Sequence, residues 1–230
     1  MDKSQDSLKK INELIIDLMN FMEVCIHQIL YSQRLYPSIV FETKSYLGLE
    51  VKTIKKNVLS DYIHEIMEKV DDLTRRDFIE GVQIKILKEN CPEYSFEIEI
   101  ERVLSYAKME NLPDKFELDS NLKRMLYKLI SQDTREKAEP ETEPTENSKN
   151  SFELLIKTNG KEELDEASKL ILMSDWVGAG KSDKPGRKKK KLLPDLIDES
   201  AKKITPKDIQ LIDGSDFAEF SVNIYKLTHS

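Results

Sequence analysis

The chain is poor in the residues that build disulfide frameworks, metal centres and membrane spans. Its 230 residues include two cysteines, three histidines, seven glycines and one tryptophan. Two cysteines, Cys25 and Cys91, are too few for a disulfide scaffold and predict a reducing, intracellular environment. The N-terminal segment is polar and then amphipathic, so neither a secretory signal peptide nor a membrane span is expected.

The histidines do not form a recognisable chemical site. His27, His64 and His229 are far apart in sequence, and none has cysteine or carboxylate neighbours at a metal-ligand spacing. No pattern of a nucleophile and its base is apparent either. We therefore expect a protein without catalytic residues, metal or cofactor.

The charge balance argues against a DNA-binding face formed by the whole surface. Charged residues make up 34% of the chain and the formal net charge is −7. A surface of this sign repels phosphate backbones, so any role with nucleic acid is expected to be indirect.

A glycine-rich stretch, Gly178 to Ser182, raises the possibility of a phosphate-binding loop. The motif also needs a glycine at position 175, where this chain has Asp175. A linker is the preferred interpretation, and a nucleotide-dependent enzyme is kept as the contrasting class.

A dense basic run follows within the same linker. Such a cluster suits nuclear import, although contact with DNA or an acidic partner and a merely solvated loop are alternatives. The run consists of Arg187, Lys188, Lys189, Lys190 and Lys191.

Apolar periodicity predicts three helices and a sheet assembled from distant segments. A three-to-four-residue period predicts helices over Leu8–Tyr36, from an N-cap at Asn57 to Leu73, and over Leu118–Ile130 capped by Asp119 or Ser120. Ser38–Tyr46 is expected to contain a helical turn, and Cys91 to lie in a turn. A two-residue period predicts strands over Leu49–Ile54, Val82–Leu87, Tyr94–Glu101, Phe152–Ile156, Ile209–Ile212 and Phe220–Leu227.

Two segments interrupt this pattern. Asp133 to Asn150 is rich in Glu, Pro, Thr and Ser and is expected to be a disordered acidic loop. Gly178 to Ser200 is expected to be a flexible basic linker. The order of elements predicts one α+β domain over residues 1–230.

The segment from His27 to Phe41, HQILYSQRLYPSIVF, resembles the end of the first helix in HORMA-domain proteins. The order of the other elements agrees with this family. The resemblance implies three main helices packed on a mostly antiparallel sheet, with residues 160–230 forming a C-terminal safety belt that wraps over a partner peptide.

Within the family, the chain looks most like the accessory subunits of translesion DNA polymerase zeta. Spindle-checkpoint and meiotic HORMA adaptors are the alternative. The resemblance implies a nuclear adaptor in which Tyr62 and Trp176 hold a Pro-containing peptide of the polymerase catalytic subunit. Simple core filling is the other interpretation of these two aromatic residues.

The resemblance implies two further interfaces. Ile209, Asn223 and Tyr225 match belt positions that contact the deoxycytidyl transferase that scaffolds translesion polymerases. A homodimer through the second helix is also expected to be possible, and its candidate contacts are Asp61, Glu65 and Lys69.

Overall fold

The computed structural model describes residues 3–88, 91–102, 111–132, 150–158 and 208–228. The helices are α1 (Lys3–Ser32), α2 (Val58–Arg75) and α3 (Lys115–Ser131), with a short 3-10 turn at Ser38–Val40. The strands are β1 (Phe41–Tyr46), β2 (Leu49–Ile54), β3 (Ile79–Lys88), β4 (Cys91–Arg102), β5 (Ser151–Thr158), β6 (Asp208–Asp216) and β7 (Phe220–Thr228).

The main sheet contains five strands in the order β5-β3-β4-β7-β6, and every neighbouring pair is antiparallel. Strands β1 and β2 form a separate antiparallel pair. Helices α1, α2 and α3 supply the rest of the structure, which confirms the expected α+β class. The central strand β4 pairs with β3 on one side and with β7, from the far end of the chain, on the other.

Helix α1 is the centre of the core. Leu18, Phe21 and Met22 have no exposed surface, and the helix packs against α2, α3 and β2. Gln28, which the periodicity places between apolar positions, is also buried, and its Oε1 is satisfied by a hydrogen bond from Lys52 N at 3.0 Å. By length and composition Gln5–Ser32 could cross a membrane, but 67% of its apolar window is buried inside the protein, as in a core helix.

The predicted ends of α1 were wrong. The helix begins at Lys3 and ends at Ser32, four residues before Tyr36. Arg34 has a φ of 53°, a left-handed conformation that stops the helix before Pro37 restricts Tyr36.

The cap of α2 was predicted correctly and that of α3 was not. Asn57 Oδ1 accepts hydrogen bonds from Leu59 N and Ser60 N, and Ser60 Oγ accepts one from Asn57 N, which completes a capping box. Helix α3 is capped by Asp114, whose Oδ1 accepts from Glu117 N at 2.7 Å. The first turn of α3 points outward, so apolar periodicity gave no signal of it.

The structure corrects two predictions of local secondary structure. After the 3-10 turn, the rest of Ser38–Tyr46 is strand β1, which pairs with β2 through a turn at Leu47 and Gly48, both with positive φ. Cys91 lies in strand β4 and not in a turn. Strand β2 has the predicted bounds, because its alternating pattern extends over the whole strand.

Candidate functional site

Strand β5 forms one edge of the described sheet. Its described partner is β3, from Ile79 opposite Thr158 to Leu87 opposite Ser151, and no other described strand pairs with it. An edge strand presents backbone N–H and C=O groups to which an extended peptide can add as a further strand.

An aromatic cluster lies at the start of this edge. The rings of Tyr36 and Phe152 are 6.2 Å apart and those of Tyr62 and Phe152 are 6.4 Å apart, both in edge-to-face geometry. Phe152 is buried, whereas Tyr36 and Tyr62 are half-buried. The cluster therefore offers two partly exposed aromatic rings beside the strand edge, and such rings can pack against proline.

Three elements that are distant in sequence position these rings. Tyr36 follows the end of α1, Tyr62 lies in the second turn of α2, and Phe152 is the second residue of β5. The Asn57 capping box fixes the start of α2 and thereby the place of Tyr62. The site prediction had omitted Tyr36, although its Tyr-Pro motif was the residue-level signal that could have identified it.

Both tyrosines are held in the neutral form. Burial raises the pKa of Tyr36, and Tyr62 adds to this effect. Burial also raises the pKa of Tyr62, with a further contribution from Glu153. Their hydroxyl groups remain hydrogen-bond donors at physiological pH.

An ion-pair network joins β5 to β4 on the sheet face opposite the helices. Lys157 Nζ donates hydrogen bonds to Glu97 and Glu99, the latter at 3.3 Å. Burial lowers the pKa of Lys157, but the hydrogen bonds and charges of these two glutamates outweigh that effect and the net shift is upward. The strict alternation of glutamates in β4 indicated a solvated face, yet Glu97 is buried.

Gly81 lies beside this network, at a close approach of β3 and β4. It lies on β3 between Lys157 of β5 and Glu99 of β4. A Cβ atom there would be 2.3 Å from the carbonyl oxygen of Ile98. A glycine at this position therefore allows the backbones of β3 and β4 to approach this closely.

The predicted second-partner residues lie on the hairpin of β6 and β7. Asn223 is opposite Gly214, Tyr225 is opposite Leu211, and Ile209 is opposite Leu227. Because alternate residues share a face, this register places Ile209, Asn223 and Tyr225 on one face of the hairpin. Ile209 is 64% exposed and Leu211, which the site prediction had omitted, is 55% exposed.

The electrostatic surroundings of Tyr225 are acidic. Burial raises the pKa of its hydroxyl, and Glu99, Glu101 and Glu97 raise it further, while Lys157 acts in the opposite direction.

A second polar cluster fixes the other edge of the sheet to α3. Asp213 of β6 is buried, and its Oδ1 accepts hydrogen bonds from Arg124 Nη1 and Lys128 Nζ, both at 2.8 Å. Arg124 Nη2 also donates to Gly214 O and to Ser215 Oγ, at 2.8 and 2.7 Å. Sequence reasoning had not identified this cluster, because its charges come from segments about 85 residues apart.

The remaining predicted residues fall into two groups. Asp61 and Glu65 are exposed and Lys69 is half-buried, at four-residue spacing along α2, so they share one side of the helix. Trp176 and the run Arg187 to Lys191 lie outside the described residues, as do residues 160–207 of the predicted belt. Among the described residues, no group of three His, Cys, Asp or Glu side chains is arranged to hold a metal ion.

Comparison with known families identifies the fold. The model of the HORMA domain matches residues 17–160. The chain belongs to the HORMA-domain family.

Curated HORMA relatives resemble part of the chain. Over 113 residues it is 31% identical to the DNA polymerase zeta processivity subunit of Arabidopsis thaliana, which covers 49% of this chain and 51% of that protein. Over 84 residues it is 32% identical to the mitotic spindle assembly checkpoint protein MAD2B of Homo sapiens, which covers 36% of this chain and 40% of that protein. The chain thus spans about half the length, or less, of these relatives.

Solved HORMA structures agree over nearly the whole chain. A chain of the mitotic checkpoint complex superposes with a TM-score of 0.63 at 13% identity, covering 95% of this chain and 99% of that one. C. elegans HTP-1 bound to the HIM-3 closure motif superposes with a TM-score of 0.60 at 11% identity, covering 95% and 91%. At these identities the likeness shows the shared fold.

Proposed function

We propose that this HORMA chain is a non-catalytic adaptor that holds a Pro-containing peptide at the edge of β5. The observation that carries the proposal is the placement of Tyr36 and Tyr62 around Phe152, beside a strand edge that no described strand covers. Main-chain hydrogen bonds to β5 would supply affinity, and the aromatic rings would select for proline.

The partner we propose is the catalytic subunit of translesion DNA polymerase zeta, with the adaptor acting in DNA damage tolerance. Support comes from the similarity to the plant processivity subunit. In this proposal the chain acts on DNA only through its partners.

We propose that residues 160–230 act as a safety belt, with Trp176 joining Tyr62 against the peptide. The hairpin of β6 and β7 then lies at the C-terminal end of this belt, paired with β4. Release of the peptide would require part of this hairpin to detach, so we expect slow dissociation.

The same hairpin is the proposed contact for the scaffolding deoxycytidyl transferase. Ile209 and Leu211 are exposed apolar residues beside the half-buried Tyr225, a combination common at protein interfaces. The basic run Arg187 to Lys191 is proposed as the nuclear import signal, and its replacement by serines should abolish nuclear accumulation when the chain is expressed without partners.

Direct peptide binding tests the main proposal. The full chain is titrated with overlapping peptides that tile the polymerase zeta catalytic subunit, and association and dissociation are followed by biolayer interferometry. We expect a Pro-containing peptide to bind and to dissociate slowly. If no peptide of the series binds, the polymerase assignment is wrong.

A spindle-checkpoint or meiotic adaptor is the second candidate. It is favoured by the similarity to checkpoint proteins and by the solved structure of a relative bound to a closure motif. Peptides that tile checkpoint activators and meiotic axis proteins provide the parallel titration, and binding in that series alone would select this candidate.

A further inference from the structure

The loop that carries Tyr36 leaves α1 through a left-handed residue. Arg34 has a φ of 53°. This conformation is unfavourable for a residue with a side chain, and it persists only where neighbouring contacts fix it. Tyr36 lies two residues further along the chain, so the place of its ring depends on the contacts that hold this turn.

A chain of three hydrogen bonds joins the turn to strand β4. The hydroxyl of Tyr94 donates to Gln33 Oε1 at 2.5 Å. Gln33 Nε2 donates to Ser32 Oγ at 2.9 Å, and Ser32 Oγ donates to Ile29 O, also at 2.9 Å. All three bonds run in the same direction, from β4 to a carbonyl oxygen in the last turn of α1, so each polarises and strengthens the next.

The ring of Tyr94 is itself held by the sheet. The ring of Phe96 lies 6.0 Å away in edge-to-face geometry. Lys226 of β7, which is directly opposite Phe96, places its Nζ 4.7 Å from the centroid of the Tyr94 ring. The hydroxyl that binds Gln33 is therefore presented from a fixed ring.

One row of cross-strand neighbours supports both ends of the loop. Ile86 of β3 is opposite Tyr94 of β4, and Phe152 of β5 is opposite Ile86. Directly opposite residues share a face of the sheet, and the two ends of this row are about 10 Å apart. Gln33 binds one end of the row and Tyr36 contacts the other. The loop is thus held at its first and its last residue.

From this arrangement we infer that Tyr94 and Gln33 are positioning residues for the peptide site, and that they act through Tyr36. Lys226 supports them by holding the ring of Tyr94. The inference rests on the proposed peptide binding and adds residues that do not themselves lie at the edge of β5. Without the bond from Tyr94, the loop would relax and Tyr36 would occupy its place against Phe152 for only part of the time. The affinity for the peptide falls in proportion to that fraction.

Replacement of Tyr94 by Phe tests the inference, because it removes the hydroxyl and keeps the ring. The probe is the tightest-binding peptide of the polymerase or the checkpoint series, and the full chain is measured by biolayer interferometry. We expect Tyr94→Phe to weaken the Kd about fivefold, as the loss of one hydrogen bond would. Tyr127→Phe is the matched control, since Tyr127 is 59% exposed on α3, and its Kd should equal that of wild type.

A double-mutant comparison separates positioning from a general loss of stability. When Tyr36→Ala is already present, Tyr94→Phe should change the Kd by less than about twofold, because the residue through which it acts is gone. Gln33→Met should weaken binding as Tyr94→Phe does. Gln33→Glu keeps an oxygen that accepts from Tyr94, so it should bind the peptide nearly as well as wild type.

Hydrogen exchange of the free protein gives a readout that needs no peptide. The amides of Arg34 and Leu35 donate to Tyr31 O and Leu30 O within the turn. In Tyr94→Phe they should exchange about fivefold faster than in wild type. The amide of Leu59, which donates to the cap of α2, should be unchanged.

The results that would overturn the inference differ from those that would overturn the proposed function. If the peptide binds wild type and Tyr94→Phe with equal Kd, the proposed function stands and the inference is wrong. If Tyr94→Phe weakens binding by the same factor with and without Tyr36→Ala, Tyr94 does not act through Tyr36 and the inference is also wrong. Unchanged exchange at Arg34 and Leu35 would contradict it as well. If no peptide of either series binds, the proposed function fails and the inference fails with it.

Discussion

Asp213 of β6 and Arg124 of α3 join the last edge of the sheet to the helix layer, with 2.8 Å between Asp213 Oδ1 and Arg124 Nη1. Lys128 approaches the same oxygen at the same distance. The carboxylate is buried, whereas the two cationic side chains are 43% and 49% exposed. The contact therefore attaches the buried part of β6 to α3.

Replacing Asp213 with Asn should loosen β6 while the rest of the fold persists. The amide keeps the shape but loses the charge that two cations share, and those cations can be rehydrated because they are half exposed. We expect a loss of about 1–2 kcal/mol in the free energy of unfolding. Hydrogen exchange should accelerate in β6 and remain slow in α1.

Asp216→Asn is the matched control, because Asp216 is exposed on the same strand. Equal exchange rates in β6 for wild type and Asp213→Asn would show that the ladder with β7 alone holds the strand.

Tyr62→Ala should weaken peptide binding more than it weakens the fold. The ring is half-buried and packs edge-to-face on Phe152, so its removal takes away an interface anchor at small cost to the core. We expect a loss of about 2 kcal/mol in binding free energy, roughly thirtyfold in Kd, with Tyr36→Ala acting in the same direction. Biolayer interferometry with the peptide identified above measures the effect.

Tyr127→Ala provides the control, since Tyr127 is 59% exposed on α3, outside the aromatic cluster. If Tyr62→Ala leaves the Kd unchanged, Tyr62 is a core-filling residue and not part of a binding site.

Gly81→Ala should be strongly destabilising, and Gly214→Ala should be much milder. The added Cβ at position 81 would meet the Ile98 carbonyl oxygen at 2.3 Å, where the backbone must shift. At position 214 it would meet Asn223 Oδ1 at 2.2 Å, and that side chain can rotate away. We expect losses of about 2–4 kcal/mol and about 1 kcal/mol, respectively.

Urea unfolding of the two variants gives the comparison directly. Similar midpoints for both would contradict the close approach of β3 and β4 at Gly81.

His27 should make the protein less stable below neutral pH. Burial lowers its pKa from 6.5 to about 4, and the charge of Lys44 contributes to this. The unfolded chain therefore binds a proton more readily than the folded chain, so the contribution of His27 is full above pH 6.5 and is lost as the pH falls towards about 4. The change should amount to roughly 2–4 kcal/mol over that interval.

His27→Gln removes the titrating group while keeping a polar side chain. As the pH falls from about 6.5 to about 4, its free energy of unfolding should rise steadily relative to that of wild type. Above pH 6.5 the difference between the two proteins should be constant. A difference that is constant with pH would mean that the folded state accommodates a charged His27.

The helix and strand content could be predicted from sequence wherever one side of an element is buried. The two-residue period of β2 and the cap at Asn57 gave their places directly, because alternation and capping are local properties of a few consecutive residues. The ends of α1 and the cap of α3 could not be predicted as well. The first turn of α3 is exposed, and α1 ends at the left-handed conformation of Arg34, which apolar periodicity does not indicate.

The candidate site could be predicted in part for the same reason. Tyr62 was identified through the family resemblance, but its proximity to Tyr36 and Phe152 depends on α1, α2 and β5 meeting at one place. No local pattern encodes such a meeting. Residues that are apolar or aromatic reveal that they contact something, but not which residue they contact.

The sequence by itself determined which stretches could bury a face, and through the segment HQILYSQRLYPSIVF it determined the family. Only the tertiary structure decided which charges are neutralised. Glu97 and Glu153 look alike in an alternating strand, yet Lys157 forms an ion pair with Glu97, while no described residue forms an ion pair with Glu153. Ion pairing depends on distances of a few ångströms between strands, and those distances are set by register and packing across the whole sheet.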